Sequence, residues 1–283
     1  MNNPIFDEII DTIITKLNWE IYNKIEKIPS VYYIGMGKTG GQSISSGFPK
    51  NTCAHWHSLN HFEKSYKTNL LSTNKYDLYD LILYIGKKYG FKPLIIESIR
   101  DPIEYYISAI FENCIHSKSE LFHKTVCDIL DGETTESSKK TMVTHIQPFV
   151  NEAHWWRPYS YDMWKKYFHI DLLELFDYKK GYYYNELDDC KLLLIRYENI
   201  TLWNSIFTEI GYDFTLKGVN LTKDKKYNIP EYYKYVKENI KFSKDILNSH
   251  YDIPLIKALY STDDIDNFYK KWLENTNSDS ILI

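Results

Sequence analysis

The stretch "VYYIGMGKTGGQSIS", Val31 to Ser45, begins as a strand and ends as a helix. Val31 to Ile34 is short, apolar, β-branched and aromatic, the composition of a buried strand. Gly35, Gly37, Gly40 and Gly41 then surround Lys38. Glycine permits positive φ and close backbone approach. Successive N–H groups can therefore turn toward one anion, helped by a helix expected to start near Gly41 to Ser46. Lys38 adds a mobile positive charge, and Thr39, Gln42 and Ser43 add donors. The alternative is a glycine-rich turn with a solvated lysine.

On either side, helical and extended patterns alternate. Ile5, Ile9, Ile13, Leu17, Ile21 and Ile25 recur at four-residue steps and predict a helix over 4–27. "TCAHWHSL" reads as a second strand, "YDLYDLILYIGKKYG" as a helix stopped by Gly90, and "PLIIESI" as a third strand. "DPIEYYISAIFENC" follows as a helix with Asp101 as N-cap and Pro102 in its first turn. "CKLLLIRYENI" is another buried strand, followed by a helix from about Trp203, and Tyr227 to Leu273 is helical in period. This alternation predicts an α/β fold: three layers, a mostly parallel sheet with helices on both faces. It is expected to form one domain over 1–283, with a helical insertion near 115–165. Ligands of such sheets bind beyond the carboxyl ends of strands, where both the glycine loop and Arg100 are expected.

The 283 residues are 43% hydrophobic and 25% charged, with net charge −4. That balance suits a soluble protein and argues against a general nucleic-acid binder. No apolar run is long enough for a membrane span, and acidic residues interrupt the N-terminus where a signal peptide would be apolar. Cys53, Cys114, Cys127 and Cys190 are scattered without metal-ligand spacing. They read as reduced thiols of a cytoplasmic protein, and no metal is expected.

"ESIRDPIEYYISAIFEN" supplies a second anchor. Arg100 closes a strand, and its guanidinium fork suits phosphate. Ser108 lies two turns into the next helix. Taken alone, Arg100 is as easily a strand-end arginine paired with a nearby carboxylate. Together, the "GKTGGQS" loop after one strand, "RDP" after another and a serine eight positions beyond the arginine resemble the sulfotransferase superfamily. Its members use 3′-phosphoadenosine 5′-phosphosulfate (PAPS) in a P-loop-like fold. The resemblance implies that Gly37 and Lys38, Thr39, Gly40, Gly41, Gln42 and Ser43 hold the 5′-phosphosulfate. It implies that Arg100 and Ser108 hold the 3′-phosphate. Carbohydrate sulfotransferases have a threonine where this chain has Gln42. Downstream, "HWWRPYSYDMWKKYFHIDLLELFDYKKGYYY", "LLLIRYENI" and "STDDIDNFYKKWL" resemble bacterial capsular polysaccharide synthesis proteins. This implies a glycan acceptor.

Sulfuryl transfer needs charge stabilisation on the leaving oxygen, a role for Lys38, and a base for the acceptor hydroxyl. "CAHWHSLNHFE" offers His57 first, His55 second and Glu63 third, with His61 also near. On an extended strand His55 and His57 share one face; the bland alternative is two half-buried strand histidines. His145 and His154 are remote candidates. Trp155, Trp156 and Arg157 suit a sugar, whereas Trp164 reads as core. Arg196 reads as structural, and Lys217, Lys223, Lys225 and Lys226 as a solvated run or a late basic loop. Two other functions compete. A nucleotide kinase or hydrolase would need an acid such as Glu97, Asp101 or Glu198 for magnesium, and lacks the first Walker glycine, Tyr32 standing there. A non-catalytic relative would bind an anionic glycan.

Overall fold

The computed structural model describes residues 3–20, 28–35, 39–50, 52–116, 121–152, 159–217 and 229–273. The first half runs α1 (Pro4–Glu20), β1 (Val31–Ile34), α2 (Gly41–Gly47), β2 (Cys53–Trp56), α3 (Leu59–Tyr66), α4 (Leu70–Thr73), α5 (Leu78–Tyr89), β3 (Leu94–Ile99) and α6 (Pro102–His116). It continues through α7 (Leu121–Asp131), α8 (Glu136–Glu152), α9 (Tyr159–Phe168), α10 (Leu172–Leu175), β4 (Tyr182–Glu186), β5 (Lys191–Arg196) and α11 (Trp203–Glu209). The described chain ends with α12 (Ile229–Asn239), α13 (Lys244–Tyr251), α14 (Pro254–Leu259) and α15 (Thr262–Trp272).

The fold is α/β. Five strands pair in the order β2-β1-β3-β5-β4. β1, β2, β3 and β5 are parallel, and β4 runs antiparallel to β5 at one edge. The chain passes from β1 outward to β2, then crosses back to β3 on the other flank of β1. In open α/β sheets such a reversal is the position beyond the strand carboxyl ends where ligands commonly bind. β4 is the strand that the sequence pattern does not announce.

The residues group into two compact units, the first comprising Met1–Ile99, Pro158–Asp171 and Lys180–Val219. It contains the whole sheet, with helices on both faces. One face buries Val31, Tyr33, Ile96, Leu193 and Ile195 under Ile44 of α2 and Trp203, Ile206 and Phe207 of α11. On the other, Trp56 meets Tyr32 and Phe62 of α3, and Tyr183 meets Trp164 of α9. Trp164 is fully buried, and its indole N–H donates to the Tyr79 hydroxyl at 2.8 Å, the core role expected of it. α5 shows how local chemistry fixes an element: Asp77 and Asp80 form a capping box, and Gly90 closes the helix at φ 72°. α1 begins where expected, with Phe6 on Tyr76 and Tyr84; residues 21–27 of the expected helix lie outside the described residues.

The second unit comprises Arg100–Arg157, Leu172–Lys179 and Asn220–Ile283. It is helical among the described residues. α6 packs against α7, α8, α12 and α13, burying Tyr106, Ile107, Ile110 and Phe111. Within this unit, α7 and α8 fall in the 115–165 stretch and α12–α15 follow residue 227, while α9 belongs to the first unit.

Candidate functional site

The loop after β1 is tied to the sheet through Tyr33. Its hydroxyl lies 2.7 Å from Thr39 Oγ1 and 2.9 Å from Ser98 Oγ of the neighbouring β3. Ser98 Oγ also donates to the Thr39 carbonyl at 2.6 Å. All three side chains are buried. Burial pushes the Tyr33 phenol up, so it remains a neutral hydroxyl. Gly40 follows at φ 94°, the left-handed conformation that favours glycine, and its carbonyl accepts the first bond of α2 from Ile44 N at 2.9 Å. A Cβ on Gly40 would fall 2.5 Å from the Trp203 ring. A Cβ on Gly41 would fall 2.5 Å from Tyr33 Cε1 and 2.6 Å from His55 Nε2. The glycines are therefore required for close approach. Gln42 is exposed and Ser43 half-buried at the start of α2. Gly37 and Lys38 lie outside the described residues.

His55 of β2 and His57, just beyond the end of that strand, flank this turn. His55 pairs in register with Tyr33, and its ring stands edge-on to Tyr33 at 4.9 Å. His57 meets His55 ring to ring at 4.5 Å, on the shared face that strand alternation requires. His57 Nδ1 lies 3.1 Å from the Gly35 carbonyl. If Nδ1 carries the proton in that contact, Nε2 is left as the basic nitrogen. Glu63 is occupied differently: its carboxylate accepts from Ser72 N at 2.8 Å, in α4. The side chain of His61 lies outside the described residues, as do His154, Trp155, Trp156, Arg157, Lys223, Lys225 and Lys226; His145 belongs to α8 in the helical unit. Cys53 and Cys190 are thiols, each pushed up to about 12 by burial and so poor nucleophiles.

A polar residue that the motif reading passed over in its strand is Ser98, the small hydroxyl in "LIIESI" that fixes Thr39. Glu97 beside it is fully buried, and a Cβ on Gly35 would come 3.2 Å from Glu97 Cγ. An acid therefore lies against the start of the loop.

In the helical unit, Arg100 and Ser108 meet at one hydroxyl. Arg100 Nη2 donates to Tyr233 OH of α12 at 3.4 Å, and Ser108 hydrogen-bonds the same tyrosine. Arg100 also pairs with Glu104 at 2.8 Å, so the carboxylate partner weighed for it exists. Glu104 is held by Lys237 at 2.7 Å and by Lys271 as well. Burial pushes the Glu104 carboxyl up, but Arg100, Lys271 and Lys237 outweigh it and bring it down to about 2. Asp101 caps α6 as expected, accepting from Ile103 N at 3.0 Å. It also accepts from Tyr251 OH at 2.6 Å and from Trp272 Nε1 at 2.9 Å. Burial, followed by the charge of Glu104, raises its carboxyl. Tyr233, Lys237 and Lys271 carry no local sequence signal, since their partners lie over a hundred positions away in the chain.

Comparison with family models, curated proteins and solved structures finds no match to this chain. Among the described residues, no His, Cys, Asp and Glu group could hold a metal ion, and no helix is long and apolar enough to cross a membrane.

Proposed function

We propose that the chain is a sulfotransferase that moves a sulfuryl group from PAPS to a hydroxyl of a glycan or capsular polysaccharide precursor. The observation that carries this reading is the Thr39–Gly41 turn at the carboxyl end of β1, flanked by His55 and His57. Backbone N–H groups of that turn and of α2 suit the phosphosulfate. Lys38 stabilises charge on the oxygen that leaves with 3′,5′-ADP. His57 accepts the proton of the acceptor hydroxyl as that oxygen forms its bond to sulfur and the sulfur–phosphate oxygen bond breaks. The shared hydroxyl contact of Arg100 and Ser108 supports their assignment to the 3′-phosphate. The P-loop-like sulfotransferase fold is part of the same proposal.

The test is sulfuryl transfer from labelled PAPS to a panel of bacterial glycans. Transfer that falls at least about 100-fold in Lys38→Ala supports the reading, a loss typical of removing a transition-state donor. Near-normal turnover in that variant overturns the role of Lys38. Glu97, buried beside the loop, favours a second reading as a nucleotide kinase or hydrolase. ATP turnover that requires magnesium, with no response to PAPS, would establish that alternative.

A further inference from the structure

Three cations meet a single carboxylate in the helical unit. Glu104, in the first turn of α6, receives Arg100 from just ahead of that helix, Lys237 of α12 and Lys271 of α15. Glu104 and Ser108 stand four residues apart in α6, as Tyr233 and Lys237 do in α12, and Arg100 sits four residues before Glu104, just ahead of the helix. Lys237 Nζ also stands over the Tyr233 ring at 5.4 Å, next to the hydroxyl that Arg100 and Ser108 share. Among the described residues, these four charged side chains sum to +2, and an ionised Asp101 beside them would still leave +1.

A structural ion pair needs one cation. Each further cation adds repulsion, about 3 kcal/mol for two charges roughly 5 Å apart at an effective dielectric of 20. The surplus is also graded in access: Arg100 is 10% exposed, Lys237 30% and Lys271 40%. The fixed guanidinium lies inside and two mobile ammonium groups lie toward solvent. That is the arrangement of a site for an entering dianion.

We infer that Lys237 and Lys271, gathered by Glu104, set the charge selectivity of the Arg100–Ser108 corner, admitting a phosphate monoester and discriminating against a ligand with a bare hydroxyl at that position. The inference rests on the sulfotransferase reading and adds two selectivity residues to it. Lys237 and Lys271 act on the ligand phosphate directly; Glu104 is a positioning residue.

The experiment is calorimetric titration of the full chain with 3′,5′-ADP and with 5′-AMP, which differ only in the 3′-phosphate. Wild type is expected to bind 3′,5′-ADP at least about 100-fold more tightly. Lys237→Gln and Lys271→Gln are each expected to reduce that ratio about 5- to 10-fold, with the 5′-AMP affinity unchanged. Lys237→Arg is expected to restore most of it. A purely structural role would weaken both ligands alike and leave the ratio intact, which overturns the inference while the sulfotransferase reading stands. Equal binding of both ligands by wild type overturns that reading, and the inference with it. Both lysines reach solvent, and thermal melts of the single variants verify that each folds.

Discussion

Glu104→Gln keeps the shape of the side chain and removes the charge around which Arg100, Lys237 and Lys271 gather. The carboxyl stands at about 2 against an ordinary 4.5. At 1.36 kcal/mol per pH unit that difference is worth about 3 kcal/mol. Lys237 and Lys271 are partly exposed, so solvent screening reduces the expected loss to about 2 kcal/mol. The sign follows from the depressed value. The stabilisation is fully present above the unfolded-state value near 4.5 and is lost as pH falls through about 2. At pH 3 about half of it remains. Urea unfolding of wild type and variant at pH 7 and pH 3 reads this directly. The stability gap should shrink from about 2 to about 1 kcal/mol. A gap of the same size at both pH values would refute the argument, because it would mean that Gln disturbs packing and that the charge contributes nothing.

Two further perturbations address the loop. Tyr33→Phe removes a fully buried hydroxyl that contacts Thr39 and Ser98; it should cost about 1–3 kcal/mol in urea unfolding and weaken 3′,5′-ADP binding in the same preparation. Gly41→Ala places a methyl 2.5 Å from the Tyr33 ring, so an overpacking loss of about 1–3 kcal/mol is expected in thermal melts. Unchanged stability there would show that α2 is free to shift away from β2.

The sheet was legible wherever a strand is buried on both sides. β1, β3 and β5 are runs of isoleucine, leucine and valine or tyrosine bounded by turn residues, and His55 of β2 shares a face with His57 just beyond the strand, as alternation demands. β4 escaped because "YYYNE" is half-buried, lies at an edge and has no apolar alternation; only its pairing with β5 makes it a strand. The same limit applies to the sites. Glycines, Lys38 and Arg100 announce themselves by local chemistry. Tyr233 and Lys271 are brought to Arg100 and Glu104 by helix packing across sequence separations of 133 and 167. The helical unit likewise draws on three separate segments, which no local pattern reveals.

β3 pairs with β1 on one side and with β5 on the other. During synthesis β1, β2 and β3 leave the ribosome early, whereas β5 begins only at Lys191, after Ile99 has long emerged. At about 5–20 residues per second the apolar edge of "LIIESI" has no strand beside it for roughly 5–20 s. An open apolar edge is a template for intermolecular pairing. The nascent chain is therefore most vulnerable to aggregation in that interval, while the first helices of the second unit are being made.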